Sequence, residues 1–304
     1  MKKKHDFIFW LFLAPVLLAF LFVILIPFSI GLFYSFTNWS SSARANNELV
    51  FVGMRNFVES FKDPRFSYSF IITTIYTVLN VFSTNTVALL LALAVTSKLR
   101  LRNIYRVGFF IPNLIGGLIL GYIWQFLFNN ALPALGEIIP FLSGLADPSN
   151  LILSKVPSAL GAIVVVSTWQ YAGYIMMIYI AAIEGIPQEL LEAAKIDGAN
   201  FLARFRAITV PMIAQAFTVT LFLTLVNSFK MFDVNVSLTS GGPSTIFGGL
   251  PIFGTELLAL NIYNTAFIAN NLAEAQARAV VFFLVLVFIS IIQVRINKKK
   301  EVEL

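Results

Sequence analysis

Apolar residues fall in six runs separated by shorter polar stretches, at 7–36, 69–96, 104–128, 158–183, 212–232 and 279–294. A helix needs about 20 apolar residues to cross the hydrocarbon core of a bilayer. The pattern therefore predicts an all-α membrane protein of about six transmembrane helices, folded as one transmembrane domain over residues 1–304. Pro15 and Pro27 lie inside the first run. A membrane helix accepts proline where neighbours satisfy the freed carbonyls. Lys2, Lys3 and Lys4 precede this run, and Ala43-Arg44-Ala45 loosely fits a cleavage site. The run is about twice the 7–15 residues or so of a signal-peptide core, so it reads as an uncleaved first span.

Lysine and arginine set the expected orientation. Thirteen fall on one side of the spans: Lys2, Lys3, Lys4, Lys98, Arg100, Arg102, Lys195, Arg204, Arg206, Arg295, Lys298, Lys299 and Lys300. Five fall on the other: Arg44, Arg55, Lys62, Arg65 and Lys155. Arg106, Lys230 and Arg278 sit at span ends and do not vote. The bias places both termini in the cytoplasm, which requires an even number of spans. Residues 37–68 are then an outer loop with a short amphipathic helix around 56–61. Residues 129–157 are an outer, irregular loop holding Pro133, Pro140, Pro148 and Pro157. The last outer loop, 230–275, contains a turn at Gly241-Gly242-Pro243 and an expected interfacial helix at 255–266.

Composition narrows the function. Hydrophobic residues make up 58% of the chain and charged residues 12%, about half the share in a soluble domain. The net charge of +6 sits beside apolar runs, which reads as topology signalling rather than nucleic-acid binding. No cysteine is present, and the single histidine, His5, lies in the basic tail. No catalytic residue, metal site or cofactor is expected. No phosphate-binding Gly-x-x-x-x-Gly-Lys-Ser/Thr motif occurs, so the chain should not bind ATP itself. Acidic residues are nearly absent from the spans, Asp233 standing at the end of the fifth. Proton-coupled carriers rely on buried carboxylates, so that class is disfavoured. Sodium coupling through backbone carbonyls stays open.

The cytoplasmic loop 184–211 differs from the rest in its charge density. Pro187 suits the first position of a helix, and Glu189 and Glu192 suit its positive N-terminal end. Asp197-Gly198 ends it, with glycine fit for a left-handed cap. A second short helix follows over 201–208, and Pro211 marks the entry to the fifth span. Ala193, Ala194 and Ala199 remove side-chain bulk. Two readings remain at this point: a solvated hairpin joining two spans, or a docking knob for a soluble partner.

The loop carries Glu192-Ala193-Ala194, then Asp197-Gly198-Ala199, then Ile208-Thr209-Val210-Pro211. This spacing resembles the signature loop of permease subunits of binding-protein-dependent ABC importers. The sugar branch, maltose-type and multiple-sugar permeases, is similar in further segments. These are Ser35-Phe36-Thr37-Asn38-Trp39, Phe51-Val52-Gly53 with Asn56-Phe57, residues 112–124, and Leu238-Thr239-Ser240-Gly241-Gly242-Pro243.

The resemblance implies the type I importer permease fold in a bacterial cell membrane, with a sugar or oligosaccharide as the solute. It implies a second homologous permease subunit, two cytoplasmic ATPase subunits and an extracellular or periplasmic solute-binding protein as partners, with membrane lipid around them and no nucleic acid. Under it Glu192, Ala193, Ala194, Asp197, Gly198, Ala199 and Pro211 form the ATPase-coupling loop, and the chain is a transporter subunit, not an enzyme. An ion-coupled secondary carrier is the alternative, and a scaffold without a solute path is a third.

A sugar path needs aromatic faces and amide or hydroxyl groups. Span four offers Trp169, Gln170, Tyr171 and Tyr174, span five Asn227, Ser228 and Lys230, and span three Trp124 and Gln125. Trp169, Gln170, Tyr174, Asn227 and Lys230 are taken as the path residues. Trp124 reads as an interfacial anchor. Lys230 has two other outlets, snorkelling outward or pairing with Asp233.

Overall fold

The structure, a computed structural model, describes residues 2–40, 48–97, 100–139, 143, 144, 147 and 151–298, with side chains from residue 9 on. Arg44 and the segment around it, Lys98, Pro140, Pro148, Lys299 and Lys300 lie outside the described residues, as do the side chains of Lys2, Lys3, Lys4 and His5.

Helix α1 (Lys2–Phe20) continues through a π turn, Leu21–Leu25, into α2 (Ile26–Tyr34). The expected amphipathic helix is α3 (Arg55–Lys62), and α4 (Pro64–Thr96) follows. The run at 104–128 is not one straight helix. α5 (Arg102–Phe110) passes into a 3-10 turn, Ile111–Leu114, and Ile115 and Gly116 are extended before α6 (Gly117–Phe126) begins. Pro112 supplies no N–H to a continuing helix, and Gly116 gives little resistance to extended backbone. After α6 a π turn, Leu127–Ala131, leads to α7 (Leu132–Ile138), carrying this span well past residue 128.

Helix α8 (Val156–Glu184) is unbroken. The connecting loop holds α9 (Gln188–Ile196), α10 (Phe201–Arg204), a π turn, Phe205–Thr209, and α11 (Val210–Met212). The chain bends by 70° at Ile213 into α12 (Ala214–Phe229). Beyond α13 (Asp233–Leu238), strands β1 (Ser244–Phe247) and β2 (Leu250–Phe253) form a hairpin, an exception to the all-α expectation. Gly248 and Gly249 at its tip both have positive φ, +60° and +78°, as a twist-matched two-residue turn demands. Helices α14 (Leu258–Tyr263) and α15 (Leu272–Lys298) complete the order. Among the described residues, five helices are long and apolar enough to cross a bilayer, and the bent pair ending in α12 makes a sixth. The stretch expected at an interface, 255–266, is instead packed inside over its first half. Leu257 and Leu258 are fully buried, and the Leu258 N–H donates to Thr73 Oγ1 at 2.8 Å.

The chain divides into two compact units. One comprises Met1–Asp63 with Ile262–Leu284. Within it, Asn56 Nδ2 donates to the carbonyls of Ser35 and Thr37, both at 2.8 Å, which fixes the segment after α2 onto α3. Arg278 is 3% exposed, and both its terminal nitrogens have partners. It donates to Asp63 Oδ2 at 2.6 Å and to Thr265 Oγ1 at 3.0 Å, and it also pairs with Glu274. A buried guanidinium in an apolar helix persists only with such partners.

The other unit comprises Pro64–Asn261 with Val285–Leu304. Its centre is a buried polar seam where α4, α8 and α12 meet. Asn80 Nδ2 donates to Ser228 Oγ at 2.9 Å, Asn85 Nδ2 to Thr224 Oγ1 at 2.9 Å, and Tyr179 Oη to Asn85 Oδ1 at 2.9 Å. Thr220 Oγ1 in turn donates to Tyr179 Oη at 2.7 Å. Tyr76 Oη reaches Ser167 Oγ at 2.9 Å, and the Ser83 and Thr168 hydroxyls share a bond of 2.7 Å. The spacing explains the seam: 76, 80 and 84 on α4 and 220, 224 and 228 on α12 each recur every four residues, one face of a helix. Apolar clusters flank it, one around Tyr76, Ile163 and Leu238, the other around Ala88, Ala92, Met176 and Ile213.

Helices in lipid gain no hydrophobic drive to associate, so hydrogen bonds and close packing hold them. Tyr179→Phe removes two bonds and leaves Asn85 Oδ1 without its donor. The expected cost is about 1–2 kcal/mol, seen as lower resistance to unfolding in a denaturing-detergent titration. Unchanged resistance would mean that the seam does not hold the three helices.

Candidate functional site

Two places in the second unit gather the residues singled out in the sequence. The first is a polar cavity of about 170 Å³ lined by Gly117, Gln170, Tyr171, Asn227, Lys230 and residues 231–234. It lies where the start of α6, the middle of α8 and the end of α12 converge. Gln170 is 4% exposed. Its Nε2 donates to the Ile115 carbonyl at 2.9 Å, at the extended break before α6. Its Oε1 is buried without a hydrogen-bond partner. A buried amide oxygen left this way costs free energy unless a ligand or water completes it. Gly117 is needed for the wall, since a Cβ there would sit 2.8 Å from Asp233 Cβ. One turn on, a Cβ at Gly121 would lie 1.8 Å from Ser237 Oγ, so α6 and α13 touch almost backbone to side chain.

Three of the five proposed path residues, Gln170, Asn227 and Lys230, thus line one cavity. Trp169 does not. It is half exposed, lines an apolar groove of about 560 Å³ with Val87, Tyr105 and Phe109, and meets the edge of Trp124 at 5.7 Å. Tyr174 packs against the apolar cluster around Met176. Trp124, read as an anchor, is packed between Phe128 and Trp169. The cavity also uses Asp233, read in the sequence as an acidic residue at the end of the fifth span and a partner of Lys230, and Gly117, which hydropathy does not distinguish from any other small residue.

The second place is the loop from 185 to 211. Pro187 caps α9 from just outside, one position before the expected one. The far end closes as a Schellman motif: the Gly198 N–H donates to the Lys195 carbonyl at 3.1 Å and the Ala199 N–H to the Ala194 carbonyl at 2.9 Å. Gly198 has φ +81°, the conformation that the motif imposes and that a side chain resists. Asn200 Oδ1 then accepts from the Ala203 N–H at 2.8 Å and caps α10. Both short helices are thus stopped and started by their own residues. Ile186, buried with Ile213 and Tyr179 in one cluster, anchors the loop.

Beyond that anchor the loop is open. Glu192, Ala193, Asp197 and Gly198 are exposed, while Ala194, Ala199 and Pro211 are half-buried. Ile196 is 86% exposed, with Leu190, Phe201 and Leu202 also open. Rigid backbone, small residues and uncovered apolar side chains suit a surface that another protein occupies. No cluster of acidic or histidine side chains among the described residues could hold a metal ion.

The family of binding-protein-dependent transport system inner membrane components matches residues 84–302. The probable starch degradation products transport system permease protein AmyD of Thermoanaerobacterium thermosulfurigenes is 45% identical, covering 100% of each chain. The multiple sugar-binding transport system permease protein MsmF of Streptococcus mutans is 28% identical over 99% of each. In fold, the chain superimposes on a chain of a bacterial ABC transporter that imports the acidic polysaccharide alginate, with TM-score 0.80 and 20% identity, covering 98% of this chain and 97% of that one. This chain belongs to the inner-membrane components of binding-protein-dependent transport systems, as a membrane-spanning permease subunit and not an enzyme.

Proposed function

We propose that this permease carries a neutral sugar or oligosaccharide inward, with both termini and the 185–211 loop in the cytoplasm. The observation that carries the reading is the Gln170–Asn227–Lys230–Asp233 cavity. Amides suit ring hydroxyls, and a lysine balanced by an aspartate suits a solute without net charge. The full-length likeness to permeases named for starch products and multiple sugars supports the solute class. The cavity is smaller than the ~300–1,000 Å³ of a self-sufficient small-molecule site. That supports a path completed by a second, homologous permease subunit.

In this reading, the permease pair sits on two ATPase subunits, one of which binds this loop at α9, with Glu192, Ala193 and Ala194 in the contact and Asp197, Gly198 and Ala199 holding its end. Pro211 stands just before the 70° bend, so α9 to α11 form the piece that transmits motion. A solute-binding protein delivers the sugar from the other side. Alternating access then follows from two-state docking: ATP-driven closure favours one arrangement of the loops, and solute arrival favours it from outside. Membership of this family disfavours the ion-coupled carrier.

The test is the ATPase activity of the co-purified complex in lipid, with its binding protein, across a panel of neutral and anionic sugars. Stimulation by a neutral oligosaccharide is expected; stimulation by anionic solutes alone would refute the solute class. Gly198→Pro, or Ala194→Glu, is expected to abolish uptake while the protein remains inserted. Normal uptake in either would remove the loop from the coupling step. Gln170→Leu is expected to weaken half-saturation for the sugar by up to about tenfold, the worth of one good hydrogen bond, with basal ATPase unchanged.

A further inference from the structure

Arg106 lies on α5 outside both sites. In the sequence it stands at a span end. In the structure its side chain is 19% exposed and pairs with Glu184, the last residue of α8. The Arg106 Nε is buried and makes no hydrogen bond of its own. An arginine so placed gives up most of its hydration, and a half-exposed ion pair returns little stability. Its position must therefore be explained by something other than holding the fold.

Three contacts tie α5 and the break after it to α8. At one end Arg106 meets Glu184, directly before Gly185 and the buried Ile186 that root the loop. In the middle the two backbones touch: a Cβ on Gly173 would lie 1.8 Å from the Phe109 carbonyl oxygen. At the other end the Ile115 carbonyl is held by Gln170 Nε2. Along α8 these contacts run from residue 184 to residue 170, about 21 Å at the rise of a helix. They lead from the root of the loop to the wall of the cavity.

α5 is also built to move as a piece. It is nine residues long, and the 3-10 turn and extended residues after it separate it from α6. On its flank lies the apolar groove of about 560 Å³, lined by Ile104, Tyr105, Gly108, Phe109 and Trp169. At the glycine contact α8 offers bare backbone to the Phe109 carbonyl and no side chain of its own.

We propose that Arg106 and Glu184 are positioning residues for transport. Their ion pair fastens α5 to the loop root, so that displacement of the loop swings α5 about Gly173 and shifts the Ile115 carbonyl against Gln170. This rests on the proposed docking of the loop to an ATPase. It adds a second route from loop to cavity, beside α8 itself.

The experiment uses the whole complex in lipid with its binding protein. It compares R106E, E184R and the exchange R106E/E184R for ATPase co-purification, basal ATPase, sugar-stimulated ATPase and uptake. Each single variant is expected to keep the ATPase subunit and basal turnover while stimulation and uptake fall about tenfold. The exchange is expected to recover both to within about threefold of the unaltered chain. R106K, which keeps the charge, should retain at least half of the stimulation. Single variants that stimulate normally, or an exchange that stays uncoupled, would overturn the proposal. Failure of the docking reading looks different, because no ATPase subunit would then co-purify with the unaltered chain.

Discussion

The hydrogen-bonded seam between α4, α8 and α12 is the constraint on which the polar cavity depends. Lipid offers these helices no reason to choose one register over another, since an apolar face is as content against acyl chains as against a neighbour. Asn80, Asn85 and Tyr179 remove that freedom, because each finds its partner in one register only. The cavity inherits the choice. Gln170 stands two residues from Thr168, and Asn227 next to Ser228, both members of the seam. A slip of one turn, 5.4 Å, would separate Gln170 from the Ile115 carbonyl and Asn227 from Lys230's neighbours on α8.

Glycine does in this chain what larger residues cannot. Gly117, Gly121 and Gly173 each occupy a helix, where glycine is a poor former, and each lets another chain segment approach inside the space of a side chain. Two of them bring the start of α6 against α13 and so shape the cavity wall. The third puts α5 against α8. Close approach of this kind substitutes for hydrophobic burial in a membrane, and it leaves smooth contacts that can rotate.

Much of this was legible in the sequence. The six runs follow from hydropathy, and the beginning and end of α9 follow from Pro187, Gly198 and the acidic residues between them. The break before α6 was less visible, although Pro112 and Gly116-Gly117 stand in plain view. A hydropathy run counts apolar residues and is blind to whether their backbone is helical. Pro211 marks the entry to the fifth span, but the 70° at Ile213 depends on tertiary packing. The path residues show the sharper limit. Trp169 and Gln170 are neighbours, and neighbours on a helix point about 100° apart. Hydropathy does not tell which of them faces a cavity; the packing of α8 against α5 and α12 turns Gln170, with Tyr171, into the polar cavity and Trp169 into the apolar groove. The hairpin after Gly241-Gly242-Pro243 escaped notice because Ser244–Phe253 is too short to stand out among longer apolar runs.

The strengths of the contacts along α8 are graded in a way that suits a transporter. The seam it carries from Ser167 to Tyr179 is buried and doubly bonded at Tyr179, so this part of the bundle moves as a body. Two other contacts of α8 are single: one amide on a carbonyl at Gln170, in the middle of the helix, and one half-exposed ion pair at Glu184, its last residue. Single contacts of that kind break and re-form at small cost, whereas the seam does not. A conformational change that leaves the seam intact must therefore be carried by the pieces attached outside it, α5 with the break beyond it and the capped loop from Pro187 to Pro211. Both pieces are short, both are bounded by non-helical residues, and both are anchored to α8 at positions 184 to 186, where a displacement of one becomes a displacement of the other.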